Sequence, residues 1–66
     1  MTLKDLLNRM EDTERIIVEV DGKVLEACKI WEFFEKYYLQ IHYLYSRQVI
    51  RINYSDFNNA IWIELG

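Results

Sequence analysis

His42 and Ser46, four residues apart in the stretch IWEFFEKYYLQIHYLYSR (Ile30 to Arg47), are the two side chains that could move a proton and attack a substrate. A spacing of four makes them neighbours on a helix surface. Nucleophilic catalysis also needs an orienting group behind the base and an oxyanion hole, and a helix surface offers no such hole. Catalysis is therefore not expected. Cys28 is the only cysteine and His42 the only histidine, so no intramolecular disulfide is possible and these two alone cannot build a zinc site. Cys28 reads as a small buried hydrophobe, and no cofactor is expected.

Recognition is the chemistry that the residue pattern favours. On a helical wheel, Phe33, Leu44, Tyr37, Ile30, Ile41, Phe34, Tyr45, Tyr38 and Trp31 fall on one unbroken arc of roughly 160°. The polar side is broken only by Leu39 and Tyr43, stacked by their spacing of four and flanked by the acids Glu32 and Glu35 and the bases Lys36 and Arg47. This pair, with those two acids, is the first candidate partner-binding surface, against the plainer reading of isolated surface residues. Glu19, Asp21 and Glu26 form a second: with Glu11, Asp12 and Glu14 they gather around one end of the first hairpin and suit a basic groove, or else serve as a solvated rim. A third constellation, Trp62, Arg51, Tyr54 and Asn53, could stack single-stranded bases on a sheet face. Glu19, Glu26 and Glu64 on the same face oppose that reading, as does a net charge of −3. Nucleic acid is the less favoured partner.

The elements that must position these groups follow from periodicity. Thr2 and Asp5 have the spacing of a capping box, and Leu3, Leu6, Leu7 and Met10 share a helical face, which predicts a short helix ending within Glu11 to Glu14. Arg15 to Val20 alternates and is β-branched, and Asp21-Gly22 suits a type I′ turn. That turn would pair Val20 with Lys23, Val18 with Leu25 and Ile16 with Ala27 on the core face, leaving Ile17, Glu19, Val24, Glu26 and Cys28 on the other. The long aromatic helix follows, starting between Glu26 and Ile30. Strands from Gln48 to Tyr54 and from Ala60 to Leu65 close the chain around a turn at Ser55 to Asn59. The expected fold is α+β in the order α-β-β-α-β-β, a four-stranded, mainly antiparallel sheet packed on one long aromatic-rich helix.

Sixty-six residues make one small domain, residues 1–66, and a chain this short hides a low fraction of its surface. With 52% hydrophobic residues, ten of them aromatic, it carries more apolar surface than one small core can bury, so a homo-oligomer is expected. Ile17, Val24 and Trp62 on the second sheet face are the candidate oligomer interface. No apolar run approaches the roughly 20 residues that span a bilayer, so no membrane segment is expected. A lone cysteine and no signal peptide point to a cytoplasmic location.

The opening Met1-Thr2-Leu3-Lys4-Asp5-Leu6-Leu7, a hairpin turning on Asp21-Gly22 and two late short strands resemble the tiny proteins common in Firmicutes phages and other mobile elements, several anti-CRISPR proteins among them. The likeness is one of layout, and no functional residue is carried over by it. It implies a compact, non-enzymatic protein that acts in the cytoplasm of a bacterial host by binding a host protein, for example as an inhibitor of a CRISPR nuclease.

Overall fold

The computed structural model describes residues 1–66, a mixed α+β domain. Helix α1 spans Leu3–Leu7, and its capping box is formed: Thr2 Oγ1 accepts the Asp5 N–H at 3.2 Å while Asp5 Oδ2 accepts the Thr2 N–H at 3.1 Å. The helix ends at Leu7, before the acidic run. Arg9 and Met10 close onto Leu6 and Leu7 through i→i−3 bonds, so the last turn tightens and leaves the helical path early.

Strand β1 (Arg15–Val20) turns into β2 (Lys23–Val24) through Asp21 and Gly22, both at positive φ, as the type I′ reading requires. Val20 opposes Lys23, and the Leu25 N–H donates to the Val18 carbonyl at 2.8 Å, so the expected register holds this far. It then slips. β3 (Cys28–Lys29) pairs with β1 as Ile16 against Cys28, not Ala27, so Glu26 and Ala27 together stand against Ile17. This extra residue moves Cys28 from the outer face, where simple alternation places it, to the core face, where it is 2% exposed.

The sheet has five strands in the order β2-β1-β5-β4, with β3 also pairing with β1. β4 (Val49–Ser55) and β5 (Ala60–Leu65) are antiparallel, but β1 and β5 run parallel at the centre, Val18 beside Ile63. The sheet is therefore not simply four antiparallel strands. Apolar content explains the order: Ile16, Val18, Val20, Ile63 and Leu65 are buried and belong in the middle, while β4 is exposed along most of its length.

The single long helix expected over Ile30 to Arg47 is instead α2 (Ile30–Lys36), a 3-10 turn at Tyr38–Gln40, and α3 (Ile41–Tyr45). Tyr37 leaves helical geometry at φ −117°, ψ 27°. Two contacts hold it there: its ring packs 5.0 Å from Phe33, and its hydroxyl accepts the Glu26 N–H at 3.2 Å. That N–H belongs to the slipped segment, which the strand ladder cannot satisfy, so the slip and the helix break are tied together. An uninterrupted 18-residue helix would be about 27 Å long, whereas the break lets α3 fold back against α1. The core then gathers Leu3 and Leu7 of α1, Ile30 and Phe33 of α2, Leu44 of α3 and the central strands.

Candidate interaction surface

The helix break decides what becomes of Leu39 and Tyr43. Leu39 lies in the 3-10 turn and is 82% exposed, with Tyr38 beside it at 66%. The wheel places Tyr38 on the core arc, but beyond Tyr37 the helical phase is lost and its ring faces solvent. Tyr43, on α3, is half-exposed and its hydroxyl is engaged. It donates to Asp21 of the hairpin turn and accepts from Arg47. Arg47 completes the clasp with Asp21 through Nη2 to Oδ1 at 2.8 Å and Nη1 to Oδ2 at 3.2 Å, and its guanidinium carbon lies 4.9 Å from the Tyr43 ring centre.

The clasp is an electrostatic fastening between the first hairpin and the end of α3. Hydrogen bonding from Arg47, then from Tyr43, holds the Asp21 carboxyl well below its usual range, at about 2. The same contacts raise the Arg47 and Tyr43 values, in each case chiefly through Asp21. Beside the clasp, Val20, Leu25, Tyr37, Gln40 and Leu44 line a cleft of about 260 Å³. The i,i+4 spacing of Tyr43 and Arg47 could have signalled half of the clasp from sequence; Asp21, far away in the chain, gave no such signal.

The remaining acids are spread over different tasks. Glu26 pairs with Lys36 at 3.0 Å, which raises the Lys36 value. Glu32 Oε1 accepts the Lys29 N–H at 2.9 Å and so caps α2. Glu19 accepts the Trp62 indole N–H at 3.0 Å. Of the two acids of α2, only Glu35 is exposed without a partner inside the chain.

On the second sheet face, Ile17 is 2% exposed within the single chain, Trp62 is partly buried beside it, and Val24 is exposed at the far edge. Arg51 is 3.7 Å from Glu64, so the face around Trp62 presents two carboxylates for one cation. Elsewhere, His42 has no hydrogen bond to Ser46, whose hydroxyl donates to the Tyr43 carbonyl at 3.2 Å. Burial raises the Cys28 thiol. No group of three or more His, Cys, Asp or Glu side chains could hold a metal ion, and no helix is long and apolar enough to cross a membrane.

A further apolar surface includes Tyr54, which strand alternation places on the sheet face opposite Arg51, Asn53 and Trp62 and not with them. Ile52 and Tyr54 of β4 are half-exposed, and Phe57 in the β4–β5 turn is 97% exposed. Phe57 carried a readable signal, a large ring placed in a turn where no core could reach it. Comparison with protein-family models, with curated proteins and with solved structures finds no match to this chain.

Proposed function

We propose that the protein is a non-enzymatic binding module that docks on a host protein through the surface displayed at the helix break. One observation carries this reading: the Tyr38–Gln40 turn holds Leu39 and Tyr38 out of the core, 82% and 66% exposed. Burying side chains of this size against a partner is worth about 1.5–3 kcal/mol each. Glu35, exposed on α2 before the break, suits a partner that carries basic groups beside an apolar pocket. The narrower class, a mobile-element protein that inhibits a host protein such as a CRISPR nuclease, rests on the resemblance of the opening heptad and the layout. The exposed turn supports only the broader one.

The test is affinity capture from a bacterial lysate with the wild-type chain and with a Tyr38→Ser, Leu39→Ser double variant, each with and without nuclease treatment. A protein partner retained after nuclease and lost with the folded double variant is the expected result. Capture that disappears on nuclease treatment, or that is indifferent to the double substitution, overturns the reading.

A further inference from the structure

We propose that β4 is a self-association edge, through which two copies of this chain join by antiparallel β4–β4 pairing about a two-fold axis at Asn53. β4 is the last strand of the sheet and pairs on one side only, with β5. Its free side is bounded. At one end Thr2 bridges Gln48 and the Val49 N–H donates to the Met1 carbonyl at 2.8 Å, so the edge is already occupied there. The pairing with β5 is irregular between Val49 and Arg51, and at the other end the chain turns at Asp56. What remains is the regular run Arg51 to Ser55, whose midpoint is Asn53.

Edge strands in monomers are commonly blunted by lysine, proline or inward-pointing charge. The chain contains no proline, and the only charged residue on β4 is Arg51. Ile52 and Tyr54 oppose Ile63 and Ile61 of β5, so they lie on the helix-bearing face, yet they stay half-exposed because the helices cover only the central strands. Nothing in the single chain buries them.

Pairing the free run with itself about Asn53 sets Ile52 against Tyr54 of the second copy, twice over, and gathers four apolar side chains on the helix side. It sets Arg51 opposite Ser55 and next to Asp56 of the second copy. The one positive charge near the start of the strand and the one negative charge just past its end thus meet at both ends of the interface. A register centred on Arg51 would oppose the two arginines, and one centred on Ile52 would bring Tyr54 against the irregular position Ile50. The charge pattern and the length of the free edge therefore select the same axis and the same occupant, a second copy of this chain. This inference is independent of the host-protein reading, which uses the Tyr38–Gln40 turn and not β4.

Two measurements on the full chain test it. Sedimentation equilibrium is expected to show a wild-type dimer, and Ile52→Lys, which places a charge on the exposed edge, to weaken it at least tenfold. Asn53→Cys, the position that meets itself at the axis, is expected to give a disulfide-linked dimer on mild oxidation, because directly opposed Cα atoms about 4.5–5.5 Å apart lie within disulfide range. Leu39→Cys, in the Tyr38–Gln40 turn, is expected to give no disulfide-linked dimer under the same oxidation. A wild-type chain that is monomeric at every concentration overturns the proposal, as does a dimer indifferent to Ile52→Lys. Should Ile52→Lys not fold, cross-linking decides: Asn53→Cys failing to link, or linking no better than Leu39→Cys, overturns it.

Discussion

Asp21 serves the backbone and the tertiary structure at once. It sits at φ 54°, where Asp and Asn are tolerated better than most residues, and its carboxylate receives both Arg47 and Tyr43. Its folded-state value of about 2 lies below the ordinary 3.8, so the clasp contributes stability that is fully present above about pH 4 and is lost as pH falls toward 2. Asn at this position keeps the turn geometry and removes the titration. In thermal melts from pH 6 to pH 2, the wild type is expected to exceed Asp21→Asn at the upper end, with the gap narrowing through pH 4 to 2. A gap that stays constant across that range would mean the carboxylate's charge does not matter. The turn itself was readable in the sequence because Asp-Gly has few other uses between alternating strands. The clasp was not, since nothing local links position 21 to positions 43 and 47.

The elements show the same division between local and non-local causes. The Thr2–Asp5 capping box and the first hairpin rungs follow from adjacent residues, and they form as the spacing requires. The register slip at Glu26 and Ala27, the helix break at Tyr37 and the parallel β1–β5 pairing depend on segments distant in the chain, and periodicity carried none of them. The slip and the break share one hydrogen bond, from the Glu26 N–H to the Tyr37 hydroxyl. Tyr37→Phe keeps the ring against Phe33 and removes only that acceptor. It is expected to cost about 0.5–1.5 kcal/mol in urea unfolding, the ordinary net worth of such a bond. Amide exchange should quicken at Glu26 while the Leu25 N–H, bonded to Val18, stays protected. Equal acceleration at both would show that the hydroxyl supports the whole hairpin and not the slipped segment alone.

For the molecule as a whole, the excess of apolar residues was visible in composition, but its location was not. The aromatic arc on the helical wheel suggested that the helix buried its rings and left the second sheet face bare. Phe33 is buried as the arc requires, but Tyr38 is exposed, Ile17 is covered within the chain, and bare apolar surface lies on the Tyr38–Gln40 turn and on β4 and its turn. A domain of this size is held by a few kcal/mol, so association through β4 would be a sizeable share of its stability. Unfolding linked to dissociation makes the melting temperature depend on protein concentration. If two folded copies separate as they unfold, each tenfold dilution removes half of the tenfold factor per chain, about 0.7 kcal/mol, or roughly 3–6 °C for a domain this small. The wild type is expected to show that dependence, and Ile52→Lys to melt at one temperature across the same dilution series. A wild-type melting temperature that does not move over a hundredfold dilution would place all of the stability within the single chain, and the exposed β4 side chains would contribute none of it.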